Sequence, residues 1–101
     1  MADRVVVLWR DIPAQVIVKQ GRKTAKRELP LRFTEAIDRA AMRAKLTGTD
    51  AYLEEWRRSA PVACGDDLEQ AAQQAHDELD AAYPQERLRA LVNNLGKEPA
   101  A

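Results

Sequence analysis

The sequence is poor in the side chains that most often make and break bonds. Among 101 residues there is one cysteine, Cys64, and one histidine, His76. That excludes a disulfide within the chain, a multi-Cys/His zinc site and iron–sulfur ligation. Aromatic residues make up 5%, and the four glycines form neither a GxGxxG nor a P-loop arrangement, so nucleotide binding by those routes has no support. No apolar run approaches the roughly 18 to 20 residues of a membrane span; the longest, residues 5–9, stops at Arg10 and Asp11. Met1, Ala2, Asp3 and Arg4 do not read as a cleavable signal, and a cytoplasmic location without membrane contact is expected. No cofactor and no metal are expected.

What the chain does have is alanine and charge. Hydrophobic residues are 46% of the total, but 18 of them are Ala, so the core should be thin. A domain of this size folds with a small margin, and a partner protein or a second copy would cover apolar surface left over. A single domain over residues 1–96 is expected, followed by a flexible tail at 97–101. Lys+Arg and Asp+Glu balance at 16 each, yet residues 1–32 hold eight basic and three acidic side chains, a net +5, and the remainder is −5. This asymmetry reads either as a basic face for an anionic ligand or as a basic sheet neutralised by acidic helices of the same chain.

Residues 5–9 and 16–18 are dense in β-branched and aromatic residues and predict two strands flanking a corner at Arg10-Asp11-Ile12-Pro13. Gln20-Gly21 predicts a hairpin turn, with a polar edge strand over residues 22–29. Pro30 opens a helix striped by Phe33, Ile37, Ala40, Ala41 and Ala44, with Leu46 near its end and Gly48 as its stop. Residues 49–58 fit either a helix capped by Asp50 or a strand, and residues 62–64 either a short strand or a loop. Asp66 or Asp67 caps a further helix carrying Leu68, Ala72, Ala75, Leu79 and Ala82 at steps of four and three. Pro84 starts a last helix with Leu88, Leu91, Val92 and Leu95 on one face and Gly96 as its terminator. The predicted architecture is α+β: a small two-layer domain, its N-terminal antiparallel sheet of two to four strands packed on one face by two or three helices.

His76 could pair with Asp80 one helical turn on, but no nucleophile accompanies it, and a structural role is the plainer reading. Cys64 precedes Gly65, Asp66 and Asp67 at an expected helix start, where amide dipoles would favour a thiolate and the aspartates oppose it; the alternative is a small buried apolar residue. Lys19, Arg22, Lys23, Lys26 and Arg27 cluster on the hairpin tip and edge strand, as a solvated edge or as an anion-binding or nucleic-acid-binding strip. No aromatic interleaves them, as single-strand stacking would want. Trp9-Arg10 and Trp56-Arg57 repeat a pair in which guanidinium could stack on indole.

The segment Val7-Leu8-Trp9-Arg10-Asp11-Ile12-Pro13-Ala14-Gln15-Val16 resembles the start of the small bacterial virulence factor family. The likeness continues through Ala36-Ile37-Asp38-Arg39-Ala40-Ala41-Met42 and Thr49-Asp50-Ala51-Tyr52-Leu53-Glu54-Glu55-Trp56-Arg57, covering about residues 4–83. The family occurs free-standing and as a domain of larger conserved virulence factor C proteins. Its short form is often encoded near methylenetetrahydrofolate reductase-like and corrinoid methyl-transfer proteins, which implies an accessory role in one-carbon chemistry. It brings no catalytic residues to transfer. The resulting expectation is a non-enzymatic accessory or adaptor domain. Trp9, Arg10, Asp11 and Pro13, together with the basic edge strand, would contact a larger protein, such as one of those two types. Nucleic-acid or phosphate binding by the 19–27 hairpin is the alternative.

Overall fold

The computed structural model describes residues 2–98; of the expected tail, residues 99–101 lie outside the described residues. The order of elements is β1 (Ala2–Trp9), β2 (Ile12–Gln20), β3 (Lys23–Glu28), α1 (Leu31–Arg43), α2 (Asp50–Glu54), β4 (Trp56–Arg58), β5 (Val62–Cys64), α3 (Leu68–Ala82) and α4 (Gln85–Asn93). The molecule is the expected α+β domain, with five antiparallel strands among the described residues where two to four were expected, and four helices there where two or three were expected.

The extra strand comes from a break in one row. β3, β2 and β1 lie side by side, and both β4 and β5 pair with β1. Trp56–Arg58 lies opposite residues 7–9 and Val62–Cys64 opposite residues 2–4. Ser59, Ala60 and Pro61 therefore face only Val5 and Val6, one residue in excess. Ser59 bridges the gap: its amide donates to the Val6 carbonyl at 2.8 Å, and its hydroxyl accepts from the Val6 amide at 2.9 Å. Pro61, with no N–H to offer, stands where pairing is already interrupted. Thus residues 49–64 are neither all helix nor all strand: a one-and-a-half-turn helix capped by Thr49, not Asp50, runs straight into an edge strand.

Pro13 lies inside β2 rather than in the corner, which contracts to Arg10 and Asp11. A register shift between Val7 and Leu8 leaves Ala14 unpaired on β1, and β3 begins its pairing only at Gln15. A proline is tolerated at such an irregularity because no third strand asks for its missing donor.

Helix ends supply two more differences. α1 stops at Arg43, before Gly48, because Lys45 takes a positive φ of 60°. The Leu46 amide then donates to the Ala41 carbonyl at 3.0 Å and the Lys45 amide to Met42 at 3.1 Å, a Schellman closure with a lysine where glycine is usual. α4 closes the same way through Leu95 at φ 62°, with Gly96 donating to Leu91 at 2.7 Å. Leu95 accordingly lies past the helix and is exposed, not on its apolar face.

Two apolar clusters form the core. Trp9, Ile12, Phe33, Ile37, Leu88 and Leu91 gather between the hairpin corner, α1 and α4. Ala2, Val16, Val18 and Ala25 of the sheet meet Ala71, Ala72 and Ala75 of α3. Leu79 packs against both, so α1 and α3 cover the same sheet face. The alanine stripe lets α3 approach closely, while the large side chains that carry most of the burial free energy are concentrated in the first cluster. Val5, Ile17 and Lys26 form a row alternating with those inward positions, on the opposite face.

Candidate functional site

The corner expected to dock a partner is a junction of three chain segments. Trp9 is fully buried, and its indole Nε1 donates to the Tyr52 carbonyl at 3.0 Å. Tyr52 sits 5.6 Å from the Trp9 ring and 6.3 Å from that of Trp56. Arg10 adopts a positive φ of 52°, a conformation that costs a non-glycine residue on the order of 1 kcal/mol. Several contacts offset that strain. Its amide donates to the Glu55 carbonyl at 3.1 Å, Nη1 donates to the Leu95 carbonyl at 2.8 Å and Nη2 donates to Glu55 Oε1 at 3.3 Å. The guanidinium lies 5.1 Å from the Trp9 ring centroid.

Asp11 completes the junction. Its amide donates to the Gly96 carbonyl at 2.8 Å, Oδ1 accepts from Arg57 Nη2 at 2.9 Å, and Oδ2 accepts from the Glu98 amide at 2.7 Å. Arg57 Nε also donates to the Arg10 carbonyl at 2.9 Å, so Arg57 serves the corner instead of stacking on Trp56. Gly96 passes so close that a Cβ there would stand 2.8 Å from Trp9 Cζ3. Of the four residues expected to meet a partner, Trp9 and Pro13 are buried and present no side-chain surface. Arg10 is 12% exposed, and only Asp11 with Arg57 forms an outward rim.

The basic run is divided by strand alternation. Arg27 faces α3 and is engaged by Glu69 and by Gln73 Oε1. Lys26, its neighbour, pairs with Ile17 on the opposite face, as Lys19 does with Asp3. Gly21, with φ of 61°, and Arg22 make the turn. Lys19, Arg22, Lys23 and Lys26 form no ion pair among the described residues.

Cys64 is in β5 opposite Ala2, half-buried against the α3 cluster, so the helix-start argument for its thiolate does not apply. His76 pairs with Asp77 at 3.0 Å, not with Asp80. Hydrogen bonds from His76 and Gln73 hold the Asp77 carboxyl below its ordinary value. Asp80 accepts from Arg32 at 2.6 Å, and Arg32 also donates to the carbonyls of Asp80 and Tyr83, latching the start of α1 to the end of α3. Burial pushes the Tyr83 phenol up against the opposing pull of Arg87, whose guanidinium lies 4.0 Å from its ring centroid. Among the described residues, no group of three or more His, Cys, Asp and Glu side chains is placed to hold a metal ion. No helix of the described residues is long and apolar enough to cross a membrane.

The open concavity is elsewhere. α1 and α4 lie against each other, and a groove of about 460 Å³ runs along their junction. Ala36, Leu88 and Val92 line it as backs of the first core cluster, and Met42 stands at its rim, 58% exposed. Arg39 and Arg43 from α1 and Arg89 from α4 border it, and none of the three makes an ion pair or side-chain hydrogen bond among the described residues. This site is not visible in the linear sequence. Arg39 and Arg43 read there as complements to a helix dipole, and only the pairing of two helices forty residues apart turns them toward a common groove.

No curated protein and no solved structure matches the chain significantly. The family model described as Virulence factor matches residues 7–92, from the last third of β1 into α4, and takes in corner residues 9–13 and the groove residues other than Asn93. The chain belongs to the virulence factor family.

Proposed function

We propose that this chain is a non-enzymatic accessory or adaptor domain that docks on a larger protein. The observation that carries this reading is the α1–α4 groove, where apolar floor and unpaired arginines share one exposed surface. The residues best suited to chemistry have structural employment: Arg10 and Asp11 tie the termini of the fold together, and Cys64 packs against α3. The docking surface is therefore the groove, while the corner at residues 9–13 keeps it in shape. The proposed partner is an enzyme of folate-linked one-carbon or methyl-transfer metabolism, of the methylenetetrahydrofolate reductase-like or corrinoid methyl-transfer type, a setting that rests on the family resemblance. Purification of the tagged chain from its native cytoplasm at endogenous level should return such an enzyme in stoichiometric amount. Recovery of the chain alone, after crosslinking as well as without it, contradicts the reading.

A second reading is favoured by one observation, the four cations Lys19, Arg22, Lys23 and Lys26 around the β2–β3 hairpin, which form no ion pair among the described residues. They would bind phosphate-rich ligands with an affinity that falls steeply with salt. Titration of a 20-nucleotide DNA should then weaken on neutralising Lys19, Lys23 and Lys26 together; salt-dependent binding indifferent to those changes rules this route out.

A further inference from the structure

Resting on the docking reading, we infer that the occupant of the α1–α4 groove is an acidic amphipathic helix of the partner protein. Three features select this occupant. The first is shape. Groove residues on α1 run from Arg32 to Arg43 at steps of three and four, so one whole face of that helix borders the site. Eleven steps at the helical rise give about 16 Å, or three turns. A trough of that length between two helices accepts a third helix laid along it, read through apolar residues at i, i+3 or i+4, and i+7.

The second feature is the floor. Ala36, Leu88 and Val92 give an apolar strip that includes one small residue, and Met42 is unbranched and adaptable, suited to packing against an incoming Leu or Ile. The groove is partly open to solvent, and Arg39, Arg43 and Arg89 are exposed beside its buried apolar residues. A small molecule would instead be held by convergent polar groups in an enclosure that buries most of its surface.

The third is charge. Arg39, Arg43 and Arg89 stand against a single bordering carboxylate, Glu35, although this part of the sequence carries net negative charge. The four acids of α3 are occupied elsewhere: Glu69 holds Arg27, Glu78 holds Arg4, Asp80 holds Arg32 and Asp77 meets His76 and Gln73. A helix with Asp or Glu flanking its apolar seam would give each of the three arginines a partner, and would be steered to the groove before contact.

A photo-crosslinking amino acid placed at Met42, and in a separate protein at Val62 on the far edge of the sheet, distinguishes the outcomes in the full chain in its own cytoplasm. The expected result is capture from Met42 and not from Val62, with the crosslinked peptide of the partner identified as an acidic segment of helical periodicity. A synthetic copy of that peptide should bind the chain, weaken on the order of tenfold or more in the variant Arg39→Glu, Arg43→Glu, Arg89→Glu, and recover when its own acids are changed to Lys. Capture of the partner from Val62 alone leaves docking intact and overturns the groove assignment. Crosslinks from Met42 to a basic or extended segment, to a second copy of this chain or to a lipid overturn the acidic helix. Capture from neither position, with no enzyme in the native purification, removes the docking reading as well. Unchanged unfolding midpoints for the triple variant separate lost binding from lost folding.

Discussion

The corner at residues 9–13 and the α1–α4 groove are built from the same materials, arginine beside apolar side chains, but their arginines differ in what they meet. At the corner, Arg10 and Arg57 are satisfied by carbonyls and carboxylates of their own chain, and Trp9 is sealed under Gly96. In the groove, Arg39, Arg43 and Arg89 border apolar residues and remain without intramolecular partners. A conspicuous motif can thus be accounted for by contacts within its own chain. Trp9-Arg10-Asp11-Ile12-Pro13 stands out because three segments distant in sequence must be anchored on five consecutive residues.

That contrast can be broken at its strongest point by Trp9→Ala. Removing a fully buried indole from the larger cluster should cost about 3 to 5 kcal/mol in denaturant unfolding, enough to leave a domain of this size largely unfolded. A loss under about 1 kcal/mol would mean that the corner is not the keystone. Gly96→Ala should come next, at about 2 kcal/mol, because the new methyl meets the Trp9 ring while φ is 87°. Arg10→Ala should cost on the order of 1 to 2 kcal/mol. It frees the Leu95 carbonyl and Glu55, though relief of a buried Nε without a protein partner limits the loss. In the groove, Arg39→Ala, Arg43→Ala and Arg89→Ala should each change stability by less than about 0.5 kcal/mol, while capture of the partner falls.

The smallest effect is a pH dependence on α3. Because Asp77 is held below its ordinary value by His76 and Gln73, its contribution is complete at neutral pH and fades as pH falls through the carboxylate range. The stability difference between the native chain and Asp77→Asn should therefore shrink on acidification. A difference that grows toward low pH would contradict the assignment, and the exposure of the Asp77 side chain keeps the effect small.

Much of the frame was legible in the sequence. Residues 5–9 and 16–18 declared strands through β-branched residues, Gly21 sits in the turn between β2 and β3, and Asp67, one of the two caps expected, caps the alanine-striped helix. Residues 49–64 resisted because their preferences change within one turn of chain, from the Thr49 cap to the edge strand at Trp56. The end of α1 was misplaced because Lys45 adopts a conformation that composition assigns to Gly48. Neither the groove nor the partners of Arg10 could be read at all: the Leu95 carbonyl lies 85 positions away from Arg10, and periodicity within an element is silent on which elements meet.

The most direct test of the whole account compares stability and partner capture in one variant, Arg39→Glu, Arg43→Glu, Arg89→Glu. An unfolding midpoint equal to that of the native chain, together with loss of the partner from the native purification, is the predicted result. Full retention of the partner by that folded variant would contradict it.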